Sequence, residues 1–333
     1  MKLIITIDTE ADNQWARSET LELRNIDYIP RFQDLGDQYG FKPTYLITYT
    51  MATSEHFIQT VGPYQQAGKA EIGAHLHPWS NPPLIALTDN DHQHHPFPHE
   101  YPEDDLRAKL TTLTNAIESH LGQRPLTFRA GRYGFDATVA SLLSELGYIA
   151  DCSVTPLTSW RSRMGDPQRH GGPDFVGAPY HPYWVNMNDV TTEGDSGLLE
   201  VPMSIFFLQW PILNRIVRIF KRIFKDPHDI LLRGLYKLHQ KPVWLRPLPD
   251  KRLEDMTQIY HMARSLKLDY IEMMFHSSEL MPGGSKNTKD ARAIERLYTL
   301  FEAFFQFLSE EQVQSMTLAE YAAEKKQQVE HVQ

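Results

Sequence analysis

The sequence predicts an α/β fold, parallel strands ringed by helices as in a β/α barrel, with all of residues 1–333 in a single domain. Three observations predict it. Short β-rich runs alternate with helix-patterned segments from the first residues onward. Gly40, Gly68 and Gly147 each stand just past the end of a helical pattern. The length also suits one α/β barrel, which commonly reaches this size as one unit.

Residues 3–7 form the first apolar strand, which ends in Asp8, Glu10 and Asp12. A helical pattern over 26–39 is followed by a strand over 43–48, and a helix over 57–67 by a strand over 70–74. The Pro- and His-rich segment 80–102 is too irregular for a regular element and reads as a functional loop, with His92, His94, His95 and His99 as a polar lid. Alternation resumes with a helix over 103–121, a strand over 126–129, a helix over 137–146 and a strand over 148–153. Residues 156–197 are expected to hold long loops and short strands over one end of the barrel, before a strand over 198–203. A helical insertion spans about 208–240, with a second helix through Tyr236. Its segment 213–225 sets Leu213, Ile216, Val217, Phe220, Ile223 and Phe224 against Arg215, Arg218, Lys221, Arg222 and Lys225. Such a helix either docks on the barrel or makes peripheral contact with an anionic membrane; docking is the expectation. A helix over 251–266 leads to a last strand over 270–275, followed by His276, and closing helices lie over 290–307 and 318–325.

With 41% hydrophobic and 23% charged residues the chain has ordinary globular composition, so a packed core is expected and disorder is not. A net charge of -9 argues against general nucleic-acid binding, which needs a basic footprint. Cys152 is the sole cysteine, which excludes an intramolecular disulfide and a thiolate metal site. The N-terminus lacks a signal peptide's apolar stretch, and no run approaches the roughly twenty apolar residues of a membrane span. A soluble cytoplasmic protein is the expectation.

Reactive residues recur at predicted strand ends. His75 and His77 are two residues apart, so both project from one strand face, an arrangement suited to a divalent metal once a carboxylate joins them. Asp8 and Glu10 end the first strand, Arg129 the fourth, and His276 follows the last. In parallel α/β barrels the C-terminal strand ends carry the active site, so this coincidence points to a metal-dependent hydrolase.

These residues resemble the motifs of the polysaccharide deacetylase, or NodB-like, family of carbohydrate esterases. Thr6-Ile7-Asp8-Thr9-Glu10 is similar to its opening motif, Glu71 to Trp79 to its histidine motif, Phe128-Arg129-Ala130-Gly131-Arg132-Tyr133-Gly134 to its arginine motif, and Met273-Met274-Phe275-His276 to its final one. They occur in family order and cover most of the chain. The family's second Asp falls on Thr9, which leaves Glu10, Asp12 or Asp8 to supply the ligand carboxylate; Glu10 comes first because it shares Asp8's strand face. The family's second His falls on Trp79, leaving His77 as replacement, and the arginine motif offers Arg132 beside Arg129. These departures resemble the WalW-like branch.

The resemblance implies a distorted (β/α) barrel of the glycoside hydrolase/deacetylase type and hydrolysis of an N-acetyl group on an amino sugar of a cell-surface polysaccharide or its lipid-linked precursor. It implies a divalent metal, zinc first, held by Glu10, His75 and His77. Asp8 is then the general base steadied by Arg129, His276 the acid, and a backbone N–H near Tyr133 a support for the oxyanion. Trp79, Tyr133 and Arg132 are expected to meet substrate, with Trp160 and Trp184 as further candidates for sugar stacking. Two rivals keep the barrel: a hydrolase of another C–N bond, as in allantoinase-like relatives, and a degenerate homologue that binds glycan without turnover.

Overall fold

Strand β1 (Lys2–Thr9) pairs in parallel with β2 (Pro43–Ile47) on one side and β11 (Tyr270–His276) on the other, so the first and last long strands are neighbours. The sheet runs on in parallel through β3 (Glu71–Leu76), β4 (Thr127–Ala130), β5 (Ala150–Asp151) and β8 (Leu199–Glu200). It ends in the antiparallel hairpin of β6 (Tyr183–Asn186) and β7 (Asp189–Glu193), within the segment expected to hold loops and short strands. The short β12 (Gln314–Ser315) joins β1. The computed structural model describes residues 1–14, 20–162, 165, 171–209, 211–223 and 241–330; the helix expected through Tyr236 lies outside them.

Helices α1 (Ile29–Tyr39), α2 (Tyr49–Ala52), α3 (Glu55–Gln66), α4 (Asp91–His94), α5 (Glu103–Leu121) and α6 (Ala137–Glu145) fall between the early strands. Then come α7 (Pro211–Ile223), α8 (Leu253–Ser265), α9 (Ala291–Glu310) and α10 (Leu318–Glu330). Ser54, Asp136 and Asp290 start their helices by accepting hydrogen bonds from the N–H groups of Phe57, Val139 and Ala293.

That the sheet curls follows from side chains that meet across it. β4 and β11 are separated by three strands, yet Arg129 on β4 reaches Glu272 on β11 at 2.8 Å. The remaining gap is bridged by an antiparallel pair, β9 (Ile205–Phe206) and β10 (Val243–Trp244), beside which Leu245 donates to the Ser204 carbonyl and accepts from the Met274 N–H. The result is an irregular β/α barrel.

The period of two along each strand divides its two faces. Leu3, Ile5 and Ile7 of β1, Ile72, Ala74 and Leu76 of β3, and Ile271, Met273 and Phe275 of β11 join the outer core with the helices, where Phe32 of α1 meets Phe275 and Phe301 edge-on at 4.9 and 5.0 Å. The alternate positions face the lumen. Its floor is apolar, made by Ile4, Leu46, Ala150, Cys152, Leu199 and Tyr270 and plugged by Leu318 and Tyr321 of α10. Above lies a polar layer of Thr6, Arg129 and Glu272, and the strand ends follow. Gly73 lets β3 sit close to β4, since a Cβ there would lie 2.3 Å from Thr127 Oγ1 and 2.7 Å from the Leu46 side chain.

Candidate metal and acid-base site

Glu10, His75 and His77 converge above the polar layer, all three buried. His77 Nε2 stands 2.8 Å from Glu10 Oε2 and 3.1 Å from His75 Nε2, while His75 Nε2 is 3.7 Å from the same carboxylate oxygen. His75 Nδ1 lies 2.9 Å from the Arg129 carbonyl, an acceptor only, which puts a proton on Nδ1 and turns Nε2 toward Glu10. Burial pushes the His77 imidazole down to about 4, so it is neutral near pH 7. Burial works against the Glu10 charge as well, but hydrogen bonds to both histidines hold its carboxyl well below the usual range. One carboxylate oxygen and two imidazole nitrogens, kept together in a buried setting, make a donor set that fits a divalent ion. Thr9, by contrast, bonds to its own strand at the Ile7 carbonyl.

Asp8 lies beside this cluster. Burial disfavours its charge, and the Arg129 guanidinium at 2.7 Å outweighs that and lowers its pKa, with His75 and His276 adding to the effect. Arg129 is fully buried and uses its whole fork: one Nη on Asp8, the other on Thr6 and Glu272, and Nε on the Cys152 carbonyl. Arg132 sits apart, over the Trp79 ring at 5.8 Å, so Arg129 is the arginine that steadies Asp8. Gly131 makes the adjacent turn compatible with the histidines, since a Cβ there would come within 2.4 Å of the Leu76 carbonyl and 2.5 Å of His77 Nδ1.

His276 closes the far side, its Nε2 3.8 Å from Asp8 and 3.9 Å from Glu10. Behind it Glu279 accepts from the His276 backbone N–H and approaches Nδ1 at 3.7 Å, and Arg246 bonds Glu279 at 3.0 Å and meets His276 Nδ1 at 3.2 Å. Burial works to lower the His276 pKa, but Glu279, Glu10 and Asp8 together raise it. Burial similarly opposes the Glu279 charge, which His276 and Arg246 nevertheless hold at about 2.

Asp8, His75 and His276 line a cleft of about 1020 Å³. Tyr133, Trp160 and Trp244 form one wall, with Tyr133 stacked on Trp160 at 5.1 Å; Arg132, Arg246 and Lys286 also border the space. Trp79 is outside that lining, packed on the His77 ring at 4.5 Å and against His92 at 5.1 Å. Trp184 borders a separate hollow with Lys325 and Val329. The loop after His77 is anchored from below by buried Lys109, which donates to the carbonyls of Pro78, Asn81 and Pro83.

Sequence reasoning missed Glu272, Arg246 and Lys109. Glu272 was within reach, because a carboxylate in an apolar strand two positions from Met274 and four from His276 shares their face. Arg246 lies in a Pro-bounded stretch with no periodicity, and Lys109 looks like any surface lysine of a helix.

No family model matches the sequence, and no curated protein matches it. Solved structures do. A protein described as a polysaccharide deacetylase from Mycobacterium smegmatis aligns over 98% of this chain and 91% of its own at TM-score 0.55 and 16% identity. A protein described as a glycoside hydrolase/deacetylase from Parabacteroides distasonis aligns over 97% of this chain and 70% of its own at TM-score 0.61 and 9% identity. The α-amylase AmyC from Thermotoga maritima aligns over 96% and 74% at TM-score 0.50 and 12% identity. At these identities the likeness establishes the fold alone, a distorted β/α barrel.

Proposed function

We propose that the protein is a metal-dependent N-deacetylase acting on an amino sugar of a cell-surface polysaccharide or its lipid-linked precursor, with zinc as the first candidate metal. The observation that carries the proposal is the meeting of Glu10, His75 and His77 with the Asp8–Arg129 pair and His276, of which Asp8, His75 and His276 line one cleft. A divalent ion held by Glu10, His75 and His77 would polarise the amide oxygen and ease deprotonation of water.

This chain's own residues do the rest. Asp8, kept ionised by Arg129, takes a proton from the attacking water as the new C–O bond forms. His276, whose protonated form Glu279 and its acidic neighbours favour, passes its proton to the amine nitrogen as the C–N bond breaks. The products are acetate and a free amino sugar. Tyr133 and Trp160 offer an aromatic face of the kind on which sugar rings stack.

The test is a substrate panel. Acetate release from N-acetylated amino-sugar oligomers, and not from cyclic amides, supports the reading. Activity confined to cyclic amides supports an allantoinase-like hydrolase instead, and binding without any turnover supports a glycan-binding homologue.

A further inference from the structure

Helix α7 is held to the barrel by its inner face. Asn214 is fully buried and bonds both ways to the Phe207 backbone, accepting from its N–H at 2.7 Å and donating to its carbonyl at 3.0 Å. Val217, 1% exposed, packs there with Leu157, Val176 and Phe207. A helix seated in this way is expected to turn polar residues outward. α7 also turns apolar ones out: Ile212, Ile216 and Ile219 are 56%, 45% and 45% exposed, and their spacing of four and three aligns them in one outward stripe.

The chemistry flanking the stripe decides what covers it. From 211 to 225 the chain carries Arg215, Arg218, Lys221, Arg222 and Lys225 and no acidic residue, although the whole protein has a net charge of -9; of these, Arg218 turns inward and pairs with Glu193 at 3.4 Å. Arg215 is exposed one position from Ile216. A self-complementary contact with a second copy would set these like charges against one another. Isoleucines bordered by an exposed arginine, on a helix whose sequence is basic, instead suit the headgroup boundary of an anionic bilayer, where the apolar stripe dips and Arg215 stays with the phosphates. No helix among the described residues is long and apolar enough to cross a membrane, so the contact is one of lying on the surface. α7 also follows β9, whose partner β10 brings Trp244 to the cleft, which ties the helix to the strand pair at the cleft wall.

We infer that the outward face of α7, with Ile212, Ile216, Ile219 and Arg215, docks on an anionic lipid surface. The inference is independent of the deacetylase reading, and its test uses no substrate. Full-length protein is sedimented with vesicles of phosphatidylcholine alone or with about 30 mol% phosphatidylglycerol. Binding to the anionic vesicles only is expected, and raising the salt to about 1 M, where the Debye length falls to about 3 Å, releases it. The double substitution Ile216→Asp with Ile219→Asp weakens binding by about tenfold or more, and Arg215→Glu weakens it with the stripe intact. All three side chains are exposed, so both variants should melt like the wild type. Equal binding to neutral vesicles, no binding to either, or binding unaffected by both variants overturns the inference. So does light scattering showing a wild-type dimer that the isoleucine substitutions dissolve, because the stripe would then cover a second copy.

Discussion

A guanidinium taken fully out of water must be matched by anions, and Arg129 is matched by two, Asp8 at 2.7 Å and Glu272 at 2.8 Å. Its substitution therefore harms the fold as well as the chemistry. Arg129→Met leaves two buried carboxylates without their cation and is expected to cost about 3–5 kcal/mol, read as a fall in the denaturant midpoint. Glu272→Gln keeps the shape and Asp8's partner, and should cost less in the same measurement. At the other side of the site, the raised His276 pKa extends the protonated imidazole to pH values above the ordinary 6.5. The sign follows: the alkaline limb of the pH–rate profile lies above 6.5 in the wild type, and Glu279→Gln, by removing the anion that favours protonation, moves it to lower pH. A limb that stays in place removes Glu279 from this account. His276→Ala is expected to lower kcat by about 100- to 10,000-fold, the usual worth of a positioned acid.

Strands and turns set the precision with which these groups meet. The turn after β4 presses against His77 at Gly131, where even a methyl group would intrude. Gly131→Ala is expected to displace the imidazole and weaken zinc affinity by about 10- to 100-fold while the far-ultraviolet circular dichroism is retained, which calorimetric titration with zinc checks. The alternation of helices and strands was legible because apolar periodicity is local, and β1, β3 and β11 lie close to their expected positions. Their boundaries were less so. The strand expected over 148–153 shrinks to Ala150–Asp151, because Ile149 and Ala150 both point their N–H groups at the Leu126 carbonyl and Ser153 folds back on Asp151. The basic helix was expected to dock by its apolar stripe. Asn214, a polar residue, supplies its anchoring hydrogen bonds, and part of the stripe faces out, since an amide can satisfy a strand-end backbone as isoleucine cannot.

Over the whole molecule, the curled sheet brings together residues more than two hundred positions apart, and its lumen is layered from apolar floor through the Arg129 layer to the strand ends. Glu10, His75, His77, Asp8, Arg129 and His276 were legible because each occupies a strand end, where the barrel leaves side chains to converge. Arg246 and Lys109 were not, since their importance lies in what the folded chain sets beside them: a histidine and a carboxylate for one, three loop carbonyls for the other. The central claim is that Glu10, His75 and His77 hold the metal on which deacetylation depends. Its most direct test is acetate release from N-acetylated amino-sugar oligomers while chelator-stripped protein is titrated with zinc. The account predicts activity that rises to a plateau at about one equivalent and is lost by about a thousandfold in His77→Ala, whose removal leaves only two ligands. Acetate release that is unchanged by chelation, or by His77→Ala, would contradict it.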